Sequence, residues 1–168
     1  MSTPQISPSG FDLTPPSSTE RKALEASLTR AEADVLLHHG TEAPFCGGLL
    51  DQKDDGVYCC RLCGLPLFRH KTKFESGTGW PSFWAPIDEV HVKAVRDVSY
   101  GMVRVETRCA RCDSHQGHVF PDGPPPTNNR YCINSVSLEF VAADQALPDK
   151  LGRGAPEGRP PASPQPKE

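Results

Sequence analysis

The chain has 168 residues, and its 18 Lys and Arg against 21 Asp and Glu leave a formal net charge of −3 at neutral pH. A chain of this length typically forms one domain, and a charge so close to zero argues against nucleic acid or an anionic membrane as a partner held by bulk charge. Its longest apolar runs span only a few residues, far short of a transmembrane helix.

Proline-rich segments lie at both ends of the chain, with four of the 18 Pro in residues 1–16 and six in residues 148–168. These segments have almost no periodic apolar residues, so they cannot bury enough surface to offset the entropy lost on ordering. We therefore expect flexible tails at 1–17 and 147–168 around a single working domain at 18–146.

Two short helices are predicted at the start of this domain. The first spans roughly 19–28. Thr29 and Glu32 then form a capping box that begins a second helix, which ends near Gly40. We expect both helices to be packing elements.

Beyond the helices, the sequence changes to the alternation typical of strands. Val103 and Val105 alternate with charged residues, residues 136–140 alternate in the same way, and residues 91–95 have a similar pattern. Glycines and prolines between these stretches mark turns and long loops. The sequence therefore predicts a mainly β domain of half-buried antiparallel strands behind short N-terminal helices.

The number of cysteines is odd, at seven, and all lie between Cys46 and Cys132. The first 20 residues have neither the basic nor the apolar stretch of a secretory signal, so we expect a reducing, cytoplasmic location. Metal ligation or redox chemistry is then a better explanation of the cysteines than a disulfide framework.

Four of the cysteines form two C-x-x-C pairs, each able to present two thiolates on one tight turn: Cys60, Cys63, Cys109 and Cys112. Four thiolates suit a tetrahedral Zn²⁺ ion, with an iron–sulfur cluster as the weaker alternative. A closed site of this kind predicts one structural zinc per chain that staples distant parts of the β domain. Cys59 does not match the spacing of the second pair and is left out.

Cys132 has notable neighbours two residues away on each side, Arg130 and Asn134. On a strand these three side chains would share one face, and the adjacent guanidinium would favour the thiolate. Nearby, His115 and His118 supply two imidazoles that can act as acids or bases at neutral pH. A cysteine with histidines is a plausible nucleophilic set.

Five segments then make the chain recognisable: HHGTEAPFCG, GVYCCRLCGLPLF, KFESGTGWPSF, RCDSHQGHVFPDGP and RYCINSVSLEF. In this order, over about residues 20–142, they closely resemble the methionine-R-sulfoxide reductases, the MsrB family. The resemblance implies a small zinc-stapled β-domain of two antiparallel sheets with N-terminal helices. It also implies an enzyme that reduces the R epimer of methionine sulfoxide, in proteins and as the free amino acid.

The resemblance also implies roles for individual residues. The nucleophile of the family corresponds to Cys132, and its zinc ligands correspond to the two C-x-x-C pairs. Its acid–base and polar groups correspond to His115, His118, Asn134 and Arg130. Its substrate-binding positions correspond to Trp80, whose indole shapes the pocket, and to the acidic loop residue Asp122.

In the implied reaction, Cys132 becomes a sulfenic acid, a second thiol condenses with it to a disulfide, and thioredoxin reduces that disulfide. Many family members carry the second cysteine two residues before the tryptophan, where this chain has Thr78. Cys46, in a glycine-flanked loop, and Cys59 remain as candidates. We favour Cys46, because glycines ease the movement of a loop toward the site. The alternative is direct reduction of the sulfenic acid by thioredoxin or a small thiol.

Two other interpretations remain open. A zinc-stapled binding module without catalysis would also contain two C-x-x-C pairs, although the charge balance and Cys132 argue against it. A thioredoxin-like oxidoreductase would place one such pair between a strand and a helix, whereas here both pairs lie among predicted strands. We expect a monomer whose partners are the sulfoxide substrate and thioredoxin, with no nucleic acid and no membrane.

Overall fold

The structure, a computed structural model, describes residues 5–153 and begins its regular elements with two short helices. Helix α1 spans Ser18–Ala26 and helix α2 spans Arg30–Leu36, and each begins with a complete capping box. Helix α2 ends four residues before the expected stop at Gly40. Within the described residues, no helix is both long enough and apolar enough to cross a membrane.

Nine strands follow in the described part of the chain: β1 (Gly56–Cys60), β2 (Pro66–Arg69), β3 (Lys73–Phe74), β4 (Ser82–Phe83), β5 (Val92–Asp97), β6 (Arg104–Cys109), β7 (His115–Phe120), β8 (Arg130–Ile133) and β9 (Leu138–Ala142). One sheet has the order β2-β1-β9, and the other has the order β3-β4-β8-β7-β6-β5. The strand pairings are antiparallel. The predicted fold class, mainly β with two antiparallel sheets and short N-terminal helices, is confirmed.

The two sheets share a core of aromatic rings. Tyr58 on β1, Phe68 on β2 and Phe83 on β4 are fully buried. The ring of Phe83 stacks on Phe68 with 4.5 Å between centroids and meets the ring of Tyr58 edge-on at 5.0 Å. Because β4 also pairs with β8, this core holds the short edge of the larger sheet against the smaller one.

Strand β6 forms as predicted, but its faces are reversed. Val105 is 40 % exposed and Val103 is 71 % exposed, whereas Glu106 is only 4 % exposed. The burial of Glu106 is compensated because its carboxylate accepts hydrogen bonds from Arg108, His39 and His115. The period-2 pattern therefore identified the strand correctly and its inner face wrongly.

Part of the segment expected to be an N-terminal tail packs on the domain. Phe11 is 6 % exposed, and its ring meets the ring of His91 edge-on at 5.4 Å. The fully buried His91 donates to the carbonyl of Pro66 at 2.6 Å and accepts from the Ser7 hydroxyl at 2.8 Å. A segment with one aromatic anchor and buried polar contacts differs from the free tail that its proline content suggested.

The C-terminal segment also makes contacts beyond the expected domain limit. Leu147 and Leu151 are partly buried against the core, and the ammonium of Lys150 donates to the carbonyl of Arg61 at 2.6 Å. The rest of both predicted tails, residues 1–4 and 154–168, lies outside the described residues. The domain limits at 18 and 146 stay a prediction.

Candidate active site

Cys132 lies on β8, between β4 and β7. In the register of the sheet it faces Ser82 on one side and His118 on the other. The approach of β7 is unusually close, because a Cβ atom at Gly117 would lie 2.0 Å from the carbonyl oxygen of Cys132. Only glycine allows β7 and β8 to approach so closely. Gly117, which precedes His118, therefore determines how near the imidazole lies to the thiol.

Five of the residues singled out from the sequence line one cavity of about 250 Å³, here called the thiol cavity: Cys132, Trp80, His118, Arg130 and Asn134. Its other lining residues are Thr41, Thr78, Arg104, Gly117 and Phe120. The rings of Trp80 and Phe120 make its apolar part, while the imidazole, guanidinium and amide supply polar groups. Such a mixture suits a small ligand with an apolar group beside a polar one.

The thiol of Cys132 is under opposing influences. Burial raises its pKa, while the charge of Arg130 and hydrogen bonds from Thr78 and Arg130 lower it by a smaller amount. Arg130 favours the thiolate as expected, but burial has the larger effect and the pKa of the thiol is raised on balance.

Arg130 has other partners that reduce its effect on the thiol. Its guanidinium donates two hydrogen bonds to the carboxylate of Asp122, at 2.9 and 3.2 Å, and lies 4.5 Å from the ring centre of Phe120. The hydrogen bond from Arg130 lowers the pKa of Asp122, which is largely exposed and does not line the thiol cavity. Asp122 thus holds a cavity residue and contacts the cavity only through it.

The two candidate histidines have separate carboxylate partners. His118 donates from Nε2 to Asp97 at 2.8 Å, and His115 donates from Nδ1 to Glu106 at 2.7 Å. Hydrogen bonds from Ser99 and His118 hold the pKa of Asp97 far below its usual value, whereas burial lowers the pKa of His115. Each carboxylate orients its ring through this hydrogen bond.

The two histidines also differ in position. His118 lines both the thiol cavity and an adjoining cavity of about 590 Å³, here called the histidine cavity. His115 lines only the histidine cavity, and its ring centre lies 5.5 Å from that of His118. The imidazole beside Cys132 is therefore that of His118, and His115 lies behind it, outside the lining of the thiol cavity.

A loop after α2 joins two residues of the thiol cavity. The backbone of Glu42 donates to the Asn134 side-chain oxygen at 3.0 Å and accepts from the Trp80 indole at 3.0 Å. The Asn134 amide also donates to the carbonyl of Gln116 at 3.0 Å. Burial raises the pKa of the Glu42 carboxyl. The indole and the amide are thus oriented by backbone that is remote in sequence, and sequence reasoning missed Glu42.

Cys46 lies in the same loop and is exposed. It is not among the residues that line the thiol cavity, and the structure records it as a free thiol. The preceding residue, Phe45, donates from its backbone to the carbonyl of Gly79 at 2.7 Å, next to Trp80. Cys46 therefore follows a residue that is tethered beside Trp80, outside the lining of the thiol cavity. Cys59, in contrast, is fully buried, and burial raises its pKa strongly.

Thr78 and Phe120 are cavity residues that the sequence analysis did not assign to the site. Thr78 was considered only as the residue that replaces a cysteine, although it lines the thiol cavity and lowers the pKa of the thiol. Phe120 lies two residues after His118 on β7, so the period of a strand could have placed both on one face. For Thr41 and Arg104 we find no sequence signal.

The four C-x-x-C cysteines come together away from this cavity and are at most 1 % exposed. Sγ of Cys60 lies 3.6 Å from that of Cys112, and Sγ of Cys63 lies 3.5 Å from that of Cys109. Zn–S bonds of about 2.3 Å in a tetrahedron place sulfurs roughly 3.8 Å apart, so the cluster has the dimensions of a zinc site. Gln116 and Arg111 donate toward the sulfurs.

The donors to the sulfurs indicate how the cluster would accept a metal. Hydrogen bonds from an amide and a guanidinium stabilise negative charge on sulfur, which a metal-bound thiolate retains. All four positions of a tetrahedron would be filled by protein. The residues therefore fit a structural metal ion, and they leave no position open for substrate.

Comparisons with known proteins agree with this geometry. A family model described as the SelR domain matches residues 28–142. Proteins named "Peptide methionine sulfoxide reductase MsrB" match at 75 % identity from Caulobacter vibrioides, over 89 % of this chain and 94 % of the relative. Relatives with the same name match at 60 % from Xylella fastidiosa (86 % of this chain, 93 % of the relative) and at 52 % from Escherichia coli (70 % and 86 %). With a free cysteine in a tryptophan-lined cavity and this match over the folded region, the chain belongs to the SelR-domain family of MsrB methionine sulfoxide reductases and is an oxidoreductase.

Proposed function

We propose that this enzyme reduces the R epimer of methionine sulfoxide, in proteins and as the free amino acid, and that Cys132 is its nucleophile. The observation that carries the proposal is the thiol cavity, in which Cys132, Trp80 and His118 converge. The cavity suits a sulfoxide, because the methyl group can contact the indole while the oxygen meets hydrogen-bond donors.

The first step is attack of the Cys132 sulfur on the sulfoxide sulfur. The attack forms an S–S bond and breaks the S–O bond of the substrate, whose oxygen is protonated and leaves as water. Water then attacks the Cys132 sulfur, which breaks the S–S bond, leaves Cys132 as a sulfenic acid and releases methionine. The sulfoxide sulfur is reduced by two electrons and the cysteine sulfur is oxidised by two. Because the thiol has a raised pKa, its own proton is available for the departing oxygen. His118, held by Asp97, is placed to pass that proton on.

The other site residues support this step without forming bonds to the substrate sulfur. His115 acts on His118 as an acid–base neighbour whose proton is held by Glu106. Asn134, oriented by Glu42 and Gln116, presents a fixed amide at the cavity wall. Asp122 acts on the substrate through Arg130.

We further propose that Cys46 resolves the sulfenic acid by forming a disulfide with Cys132, which thioredoxin then reduces. Its exposure and its glycine-flanked loop favour it over the fully buried Cys59. A disulfide needs Cα atoms within about 7 Å, and we propose that the loop leaves its contact with Gly79 and moves over the cavity to form it. This movement would place the Cys46 thiol over the Cys132 sulfenic acid.

The four-cysteine cluster is proposed to hold one structural Zn²⁺ ion, supplied to a closed tetrahedral site. Bound there, the ion contributes folding energy and no catalytic chemistry. A monomer in the cytoplasm, with oxidised proteins and thioredoxin as partners, completes the proposal.

The proposal is tested with separated R and S epimers of a methionine sulfoxide peptide. Wild type should reduce only the R epimer, and Cys132→Ser should make no methionine even in a single turnover. Cys46→Ser should make one equivalent of methionine, lose thioredoxin-driven turnover and form no intramolecular disulfide. Cys59→Ala is the matched control and should turn over normally.

Different results would separate the parts of the proposal. A disulfide that links Cys132 to Cys59 in the oxidised wild type, or none at all, would remove Cys46 from the cycle and leave the first step intact. Methionine formation by Cys132→Ser would refute the nucleophile itself.

A further inference from the structure

We propose that His39, Glu106 and His115 form a second metal site, which binds a divalent transition-metal ion such as Zn²⁺. Oε2 of Glu106 lies 2.8 Å from Nδ1 of His39 and 2.7 Å from Nδ1 of His115. One ligand atom from each of the three residues lies within 4.8 Å of the others. Glu106 and His115 lie nine residues apart on the paired strands β6 and β7, and His39 joins them from 67 residues away from Glu106.

The donor set matches the proposed ion. Imidazole nitrogen and carboxylate oxygen are common ligands of Zn²⁺, with bonds of about 2.0–2.2 Å. Tetrahedral bonds of that length place neighbouring ligand atoms roughly 3.3 Å apart, so each present separation has to open by about half an ångström. The side chain of His39 can make that adjustment, because it is 49 % exposed and lies in the loop after α2.

The surroundings hold the other two ligands firmly. The side chains of Glu106 and His115 are only 6 % and 3 % exposed. Arg108 donates to Oε1 of Glu106 at 2.9 Å, which leaves Oε2 directed at the two imidazoles. An outer hydrogen bond that orients a ligating carboxylate is a usual feature of metal sites. Glu106 and His115 are therefore fixed ligands, and His39 is a third ligand that can move to coordinate an ion.

The histidine cavity provides an entry path. All three residues line this cavity of about 590 Å³, which leaves room for water as a fourth ligand. Arg104 and Arg108 line it as well and oppose a cation. We therefore expect binding that is weaker and more readily reversed than at the closed four-cysteine cluster.

The bound ion would affect the reaction proposed above. The ion would bind Nδ1 of His115 in place of the proton that Nδ1 now donates to Glu106. The ring proton would then reside on Nε2. With the metal on one ring nitrogen and the proton on the other, His115 can no longer accept a proton in support of His118. Inhibition by the metal rests on the proposed function, whereas binding of the metal does not.

Binding is tested on the full chain with its structural zinc in place and with Cys46→Ser and Cys132→Ser, which remove free thiols that could bind zinc. Equilibrium dialysis against Zn²⁺ should add one further zinc per chain. His39→Asn should weaken this binding at least tenfold, and asparagine tolerates the left-handed backbone at position 39, where φ is 58°. His38→Asn is the matched control and should bind as before, although His38 lines the same cavity.

A chain that takes up no second zinc, or that loses it equally in His38→Asn and His39→Asn, would overturn the site. With both cysteines restored, Zn²⁺ should inhibit wild-type reductase activity, and a chelator too weak to strip the cluster should restore it. The same Zn²⁺ should inhibit His39→Asn only at concentrations at least tenfold higher. Equal inhibition of both enzymes would overturn the link to His115. An inactive wild type that still bound two zinc ions would count against the proposed function alone.

Discussion

Individual residues tune Cys132 through a balance of burial and hydrogen bonds. Burial raises the pKa of the thiol more than Arg130 and Thr78 together lower it, in part because Arg130 is shared with Asp122. The thiol form of Cys132 is therefore favoured over the thiolate. This arrangement protects a partly exposed thiol from adventitious oxidation, since the thiolate is the reactive form.

Removal of the Thr78 hydroxyl should raise the pKa of Cys132 further. Loss of one hydrogen bond to a thiolate costs on the order of 1 kcal/mol, so Thr78→Val should slow alkylation of Cys132 at neutral pH about fivefold. The rate–pH profile should move to higher pH, because less thiolate is present at each pH below the pKa. The rate of iodoacetamide labelling of Cys132, followed against pH in a Cys46→Ser background, measures this shift.

Thr78→Ser retains the hydroxyl and serves as the control, with labelling close to that of the parent. If Thr78→Val were alkylated as fast as Thr78→Ser, the hydroxyl would have no part in setting the thiol pKa.

At the scale of elements, the site is built where β7 and β8 pair. Gly117 faces Ile133 in the register, and His118 faces Cys132. The same pairing carries Phe120 beside Arg130. One strand pair thus aligns the imidazole, the aromatic ring and the thiol, and the absence of a side chain at Gly117 permits it.

Gly117→Ala should therefore disturb both stability and activity. Its Cβ would meet backbone atoms of Cys132 and Ile133, which cannot rotate away as a side chain could. Overpacking of this kind costs about 1–3 kcal/mol, and the displaced strand should also reduce turnover. Urea unfolding and the reductase assay measure the two effects.

Gly48→Ala is the matched control, since a Cβ there would have nothing within 4 Å and the position has no left-handed backbone. Should the two alanine variants unfold at the same urea concentration, the close approach of β7 to β8 would not be needed.

At the scale of the whole molecule, segments outside the sheets complete the structure. Residues near Phe11 and His91 fasten the N-terminal segment to the domain. The four-cysteine cluster joins the turn after β1 to the turn after β6, which belong to different sheets. Both contacts span long stretches of chain, so each should contribute to cooperative unfolding.

Phe11→Ala should destabilise the protein by about 3 kcal/mol, because a buried aromatic ring is removed from a packed position. Ile6→Ala, at a residue that is 58 % exposed in the same segment, should change the free energy of unfolding by less than about 0.5 kcal/mol. Chemical denaturation measures the free energy of unfolding of both variants. An unchanged midpoint for Phe11→Ala would show that this segment is only a tail.

Loss of one cluster thiol should release the metal. Cys109→Ser should lower the melting temperature strongly and leave less than one zinc per chain, because metal binding and folding are coupled. Cys59→Ala removes a buried thiol beside Cys60 that is not part of the cluster, so it should keep its zinc. Metal analysis and thermal melts test both, and a stable, zinc-free, active Cys109→Ser protein would refute the structural role.

Much of this protein was predictable from short-range patterns. The capping box of Thr29 and Glu32 located the second helix, and the alternation of apolar residues identified β6. The spacing of the C-x-x-C pairs predicted the cluster, and the period of a strand placed Arg130, Cys132 and Asn134 on one cavity wall. These features succeed because backbone geometry relates residues only a few positions apart, and the sequence displays that spacing directly.

Other features were decided only by the tertiary structure. The burial of Glu106, with His39 lying 67 residues from it, reversed the expected faces of β6. Glu42 reaches Asn134 across 92 residues, and His115 lies outside the thiol cavity that His118 lines. No local period encodes such contacts, because they depend on how the sheets and the loop after α2 pack. The sequence by itself therefore determined which chemical groups the enzyme has, and the packing decided which of them meet.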